Sequence, residues 1–251
     1  MTSSFNEKVA IITGGGTGVG AAAALALRER GWQIAICGRR PGPLAEVAER
    51  IDGGVEAIIA DVSDPHDVDR LFQSAVDTFG RVDLLFNNAG IGAPPIPIEE
   101  LSVEQWQSVV DINLTGSWLC ARAAFRQMKS QKPPGGRIIN NGSVSAQTPR
   151  PFSAPYTATK HAITGLTKAL SLEGRDFGIT VGQIDIGNAA TPLTAQMSVG
   201  VMQANGETAA EATMNVDDVG EAVAVMAELP ADTNILQMTI MANGMPLVGR
   251  G

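Results

Sequence analysis

The stretch "KVAIITGGGTGVGAAAALALRERG", residues 8–31, sets the architecture from which the rest of the chain can be read. Its first six residues form a short apolar, β-branched run of the kind that makes a buried strand. Glycines follow at 14, 15, 16, 18 and 20, and an alanine-rich segment of helical length comes next. Glycines at such a point permit a tight turn and a close backbone approach, and the exposed N–H groups of the helix N-terminus then meet an anion. A pyrophosphate suits this cradle, with Gly14, Gly16, Thr17, Gly18, Val19 and Gly20 as candidate contacts. A glycine-rich run alone also fits a flexible loop; the strand before it and the helix behind it argue against that. The spacing Gly14-x3-Gly18-x-Gly20 departs from the common dinucleotide fingerprint G-x-G-x-x-G.

Outward from this unit the same alternation continues. Strand-like runs recur as "QIAIC" (33–37), "VEAIIA" (55–60), "VDLLFN" (82–87), "GRIINN" (136–141), "ITVGQID" (179–185) and "ILQMTIM" (235–241). They are continuous rather than alternating, as strands covered on both faces are. Helix-length segments separate them at 42–51, 64–80, 103–130, 154–174 and 216–229. The expectation is an α/β fold: a doubly wound parallel sheet with helices on both faces, in one domain over 1–251, with any ligand at the carboxyl ends of the strands. One segment resists the pattern. Residues 186–215, rich in Gly, Ala and Met, follow a strand's carboxyl end and read as a substrate lid or as an ordinary surface insertion.

Bulk composition narrows the function classes. Eighteen Lys and Arg stand against 26 Asp and Glu, a net charge of −8, which disfavours nucleic acid or an anionic membrane as partner. No apolar run approaches the roughly 20 residues of a membrane span. Cys37 and Cys120 each sit in an apolar run, and His66 and His161 lie far apart with no Cys beside them, so no disulfide framework and no metal centre is expected. A reduced, soluble, cytoplasmic protein is the expectation.

In a dinucleotide-binding unit, the end of the second strand discriminates between cofactors. An acidic residue there binds the ribose 2′-hydroxyl of NAD. Here the strand ends "IAICGRR", with Gly38 at the acid's place and Arg39 and Arg40 after it. An arginine fork matches a 2′-phosphate, so NADP is expected over NAD. The third strand ends in "ADVSD", where Asp61, followed by Val62, either accepts a hydrogen bond from the adenine amino group or caps the next helix.

"SAPYTATKHA", residues 153–162, holds the only tyrosine of the chain. Residues i and i+4 share a helix face, so Tyr156 and Lys160 are neighbours. A free phenol ionises at about pH 10, and a nearby ammonium lowers that value towards the range where a hydroxyl is an effective acid or base. Support comes from Ser143, at the carboxyl end of "GRIINNGS", which lies on the same rim as the glycine loop and could hold a carbonyl oxygen. Ser145 is the alternative donor, in a poorer register.

Together "TGGGTGVG", "NNAG" (87–90), "NLTGSW" beginning at Asn113, Ser143 and "YTATK" resemble the short-chain dehydrogenase/reductase family, in its shorter single-domain branch. The resemblance covers nearly the whole chain. It implies a Rossmann-type sheet of about seven strands and a catalytic tetrad of Asn113, Ser143, Tyr156 and Lys160. Tyr156 would be the general acid in carbonyl reduction and the base in alcohol oxidation, Ser143 would hold the substrate oxygen, and Lys160 would lower the tyrosine pKa and bind the nicotinamide ribose. Asn113 would hold a water relaying protons from Lys160, and Asn88, Ala89 and Gly90 would line the cofactor site. The implied activity is NADP(H)-dependent interconversion of a ketone or 3-oxoacyl group and a secondary alcohol. The implied assembly is a homodimer or homotetramer joined through the helices over 103–130 and 154–173.

Two places depart from the family. After the sixth strand the usual Pro-Gly reads Ile186-Gly187, with Ala189 in the aliphatic place and Thr191 matching. Losing the proline is expected to free the backbone at the entry to the lid. The C-terminus reads "LQMTIMANGMPLVGRG", whose Met-rich strand and tail could pack on a neighbouring subunit or fray. A non-catalytic NADP(H)-binding sensor of the same fold is the competing function, and the complete tetrad argues against it. The expected pocket wall (Ala146, Gln147, Pro149, Phe152, Ala189 and the lid) is mostly apolar, which suits a neutral or hydrophobic ketone or an acyl chain.

Overall fold

Strand β1 (Val9–Thr13) is buried along its whole length, and its side chains split between two cores. Ala10 and Ile12 point to one face of the sheet and Ile11 to the other, as the two-residue repeat of a strand requires. The structure is a computed structural model that describes residues 7–248. Around β1 lie β2 (Gln33–Gly38), β3 (Val55–Ile59), β4 (Leu84–Asn87), β5 (Gly136–Asn141) and β6 (Ile179–Gly187). A small hairpin, β7 (Val201–Met202) and β8 (Thr208–Ala209), precedes the last strand, β9 (Gln237–Met241). The main sheet has the order β3-β2-β1-β4-β5-β6-β9 and is parallel throughout. This is the Rossmann-type doubly wound sheet. Its order reverses between β1 and β4, so a crevice opens at their carboxyl ends.

Helices α1 (Gly18–Glu29), α2 (Pro41–Ile51) and α7 (Val216–Glu228) cover one face, meeting Ile12, Ile34, Ile36 and Phe86. On the other face lie α3 (Pro65–Phe79), α5 (Ser117–Ser130) and α6 (Ala154–Glu173), packed on Ile11, Leu85, Ile138 and Val181. Cys37 and Cys120 are buried free thiols of that second core, and burial pushes the Cys37 thiol up to about 12. Coverage on both faces explains the uninterrupted apolar runs of the central strands. The two edge strands differ from that expectation: β3 and β9 are only partly covered, and Ile59 is 57% exposed.

The segment over 103–130 is not one regular helix. Helix α4 (Val103–Val110) passes through a π-helical turn, Asp111–Gly116, into α5. Gly116 ends that turn where a β-carbon would stand 2.7 Å from Val62 Cγ2, so the helix can lie close to the chain leaving β3. No described helix is long and apolar enough to cross a membrane.

One expectation is corrected at the far side of the sheet. The absence of proline at 186 does not free the backbone: β6 runs on through it, with Ile186 paired to Ile240 and Gly187 to Met241. The C-terminal methionines also stay within the chain. Met245 is buried with Val144 and Ala242, and Met241 packs beside them. Of the tail "PLVGRG", residues 249–251 lie outside the described residues.

Candidate active site

The glycine loop is held from below by hydrogen bonds to its main chain. Thr13, fully buried at the end of β1, accepts the N–H groups of Asn88 and Ala89 on Oγ1, each at 2.9 Å. Asn88 Nδ2 donates to the carbonyls of Thr13 (2.8 Å) and Gly14 (3.3 Å), and Asn141 Nδ2 donates to Asn88 Oδ1 (2.8 Å). Lys160 Nζ donates to the Asn141 carbonyl at 2.7 Å. One chain of bonds therefore runs from the loop through the ends of β4 and β5 to helix α6. Gly18 sits at φ +54, in the left-handed region that glycine adopts without strain.

Above this network lies a cleft of about 290 Å³. Gly14, Gly16, Thr17, Gly18 and Val19 line it, with Arg39, Arg40, Asp61 and Val62 at one end. Asn88, Ala89, Gly90, Tyr156, Lys160 and Thr191 complete the expected wall. The cleft suits a dinucleotide: a β-carbon at Gly14 would come within 3.1 Å of Ala89 Cα and of Asn88 Nδ2, so the loop packs closely on the end of β4 and only glycine fits. Residues the sequence did not single out also line it, among them Asn141, Ile91, Ile112, Pro192 and Leu193.

Some expected contacts stand elsewhere. Gly20 is a packing residue: a β-carbon there would overlap the Gly14 carbonyl oxygen and crowd Asn88. Ile186 is in the sheet, Gly187 packs on Met245, and Ala189 is buried in a bridge to Met214. Asn113, 1% exposed in the π-helical turn, exchanges two 2.9 Å hydrogen bonds with the backbone of Ile91.

Asp61 does not cap the next helix; Asp64 does, accepting the His66 N–H at 2.8 Å. Asp61 Oδ1 instead takes both the N–H and the hydroxyl of Ser63, while Oδ2 lies 3.7 Å from Arg39 Nη1. The Arg39 guanidinium stays mostly in solvent.

The proton chemistry differs from expectation in one respect. Burial pushes the Tyr156 phenol up from its ordinary value; the Ser143 hydroxyl and the charge of Arg150 pull it down, and the charge of Asp185 adds to the rise. Lys160 is not what lowers it. The ammonium stands 5.4 Å from the centre of the tyrosine ring, turned to the Asn141 carbonyl. Burial lowers Lys160 itself to about 8, against an upward pull from Asp185. Ser143 caps the short turn Val144–Ala146, its Oγ accepting the Ser145 N–H at 3.1 Å, so Ser143 rather than Ser145 partners the phenol.

A second, largely apolar hollow of about 570 Å³ lies between the chain after β4 and the start of α6, lined there by Pro155 and Thr157. Of the expected substrate wall, Pro149 and Phe152 line it, opposite Ile96, Ile98 and Leu101; Ala146, Gln147 and Ala189 do not. The segment 186–215 is fastened to its rim. Arg150 pairs with Glu211, and Asn188, at φ +52, accepts from Arg150 Nη2 (2.9 Å) and donates to Glu211 Oε2 (2.7 Å). Burial pushes the Glu211 carboxyl up, but hydrogen bonds from Arg150, Asn188 and Gln203 outweigh it and hold the group at about 2.

Comparison with known proteins agrees with this geometry. The family model of the short chain dehydrogenases matches residues 8–201. The chain is 37% identical over 200 residues to a 3-oxoacyl-[acyl-carrier-protein] reductase of Synechocystis sp., covering 78% of this chain and 80% of that protein. Among solved structures it is similar to a 3-ketoacyl-(acyl-carrier-protein) reductase from Brucella melitensis complexed with NADH. The TM-score is 0.84 at 30% identity, over 96% of this chain and 99% of that one. It is also similar to a variant of actinorhodin polyketide ketoreductase with NADPH, at TM-score 0.83 and 26% identity, over 96% and 98% of the two chains.

Proposed function

The chain is an oxidoreductase of the short-chain dehydrogenase family, and from that premise we propose that it interconverts a carbonyl and a secondary alcohol with NADP(H), using Tyr156 as general acid and base. One observation carries this: Tyr156 and Lys160 open into the same cleft as the glycine loop, Arg39 and Arg40.

When bound, the dihydronicotinamide supplies a hydride to the carbonyl carbon. The residues of the chain handle the proton and the charge. A raised phenol is neutral near pH 7, the form that donates a proton to the carbonyl oxygen. Ser143, already partnered with the phenol, is placed to hold that oxygen. With its value at about 8, Lys160 is mostly an ammonium near neutrality and can balance the phenolate left after transfer. In the oxidation direction the phenolate is the base. Arg39 and Arg40 favour a 2′-phosphate over the bare ribose diol, which is why NADP is proposed over NAD.

For the substrate we take a hydrophobic ketone or a 3-oxoacyl thioester. The apolar hollow lined by Pro155 and Thr157, the chain neighbours of Tyr156, supports this, as do two similar proteins named as reductases of such acyl groups. Thr191, Pro192 and Leu193 stand on the cleft, which supports the segment 186–215 as its cover. We take the assembly as a homodimer or homotetramer joined through the helices over 103–130 and 154–173, a reading that exposed Trp106 and Trp118 on the first of them support.

The test follows NADPH and NADH oxidation against ketones, aldehydes and 3-oxoacyl thioesters, with Tyr156→Phe in parallel. Turnover should fall about 10²- to 10⁴-fold in the variant, as loss of a general acid requires. Activity that survives the substitution would overturn the assignment of Tyr156; equal rates with both cofactors would overturn the preference for NADP.

A further inference from the structure

Strand β6 carries one acidic side chain, Asp185, and it is fully buried. Its Oδ1 accepts the backbone N–H of Ser143 (3.0 Å) and Gln183 Nε2 (2.6 Å). Its Oδ2 accepts Gln237 Nε2 (2.6 Å) and, more weakly, Gln147 Nε2 (3.4 Å). All four partners are donors, which is the environment of a carboxylate and not of a carboxylic acid. None is a cation, and Asp185 makes no ion pair among the described residues. Its charge is thus held by neutral dipoles and left to act through space. The neighbouring strand makes room for it: a β-carbon at Gly142 would overlap Asp185 Oδ1.

We propose that Asp185 is a positioning residue of this site: it anchors Ser143 through the backbone N–H, and its negative charge holds the Tyr156–Lys160 pair in its proton-donating form. In its functional part this rests on the oxidoreductase reading above. The consequence is a reductase whose activity persists towards alkaline pH.

The charges around the pair agree. Asp185 raises the proton affinity of both Tyr156 and Lys160. The opposing charge on Tyr156 is Arg150, from the chain before α6, and it is itself paired with Glu211. Helix α6 contributes Lys160, while His161 is exposed and turned to the Thr157 carbonyl. At this end of the sheet β5, β6 and β9 add only neutral Asn140, Asn141, Gln183 and Gln237 around Asp185.

Because the chain has a single tyrosine, tyrosinate absorbance, or the one resonance of carbon-labelled tyrosine, titrates Tyr156 directly in the absence of cofactor and substrate. Asp185→Asn keeps the shape and an acceptor for Ser143. It should lower the phenol midpoint by about 0.5–1 pH unit, and the alkaline limb of NADPH-dependent reduction should move with it. Gln237→Leu removes a hydrogen bond from the same carboxylate but keeps its charge, so the midpoint should not fall. Should the asparagine variant fail to fold, Asp185→Ser carries the same expectation. An unmoved midpoint, or an equal fall in Gln237→Leu, overturns the proposal. A midpoint that falls as expected while no carbonyl shows Tyr156-dependent turnover supports the charge effect and overturns the oxidoreductase reading instead.

Discussion

The glycine-loop side of the cleft is made of main chain, whereas the rim of the apolar hollow, where residues 186–215 attach, is fastened by side chains. Thr13, Asn88 and Asn141 bond chiefly to backbone groups, and the loop they support offers a ligand little but peptide N–H. At the hollow, Arg150, Asn188, Glu211 and Gln203 tie two loops together through their own polar ends. The first construction has no spare volume: one added methyl displaces backbone. The second has replaceable parts, since each tie can be lengthened, neutralised or moved without shifting a strand. A cofactor common to a whole family suits the first, and a substrate that differs among relatives suits the second.

The sharpest way to break this contrast is Gly20→Ala. The new methyl meets the Gly14 carbonyl and Asn88, so α1 must shift. We expect about 2 kcal/mol lower stability and NADPH binding about 30-fold weaker, measured by thermal unfolding and fluorescence titration. Unchanged binding would show that the loop can yield. Arg39→Ala tests the same side by charge alone: the ratio of kcat/KM for NADPH over NADH should drop about tenfold. A steady ratio would shift the 2′-phosphate to Arg40.

On the opposite side Glu211→Gln should raise the KM for a carbonyl substrate by about threefold, roughly a loss of 0.7 kcal/mol, and leave the dissociation constant for NADPH within error. If cofactor affinity fell equally, the two sides would be one mechanical unit. A further test concerns acid stability. A carboxyl held at about 2 adds stability that is complete above its unfolded value and is lost as pH falls towards 2. The stability gap between the wild-type protein and Glu211→Gln should therefore be widest above about pH 4.5 and close towards pH 2, as urea unfolding at stepped pH would show. A constant gap would place the stabilisation in packing instead of charge.

What could be read in advance follows the same division. Strand runs, the glycine turn and the Tyr156–Lys160 spacing are local patterns, each contained in a few residues, and the sheet, the loop and the helix face appear where they predict. The Asp185–Gly142 fit joins the ends of two strands 43 residues apart. It becomes visible only once Asn141 is known to lie opposite Ile184. An acidic residue inside "ITVGQIDIG" and a glycine inside "NNGS" were its signals, and neither means much without that register. The Arg150–Glu211 tie spans 61 residues and leaves no spacing to recognise. The π-helical turn at Asn113 was hidden because it sits between two helical runs and joins them without a break, although Asp, Asn, Thr and Gly are poor helix formers. Ile186 misled for the opposite reason: a missing proline was taken as lost rigidity, when the pairing of β6 with β9 holds that stretch in any case.

The bridge between Ala189 and Met214 has a bearing on how this chain could change over generations. Ala190 N–H to Met214 O and Met214 N–H to Asn188 O, both 2.9 Å, close the excursion at its root. Everything between those bonds is a loop with a fixed stem, and doubling the length of such a loop costs only about 0.6 kcal/mol of closure entropy. Residues can be added or removed around the hairpin tip, Gln203–Gly206, with the insertion absorbed above the stem. The stem thus works as a socket, in which one cover can be exchanged for another while the sheet, Tyr156 and the glycine loop stay in register.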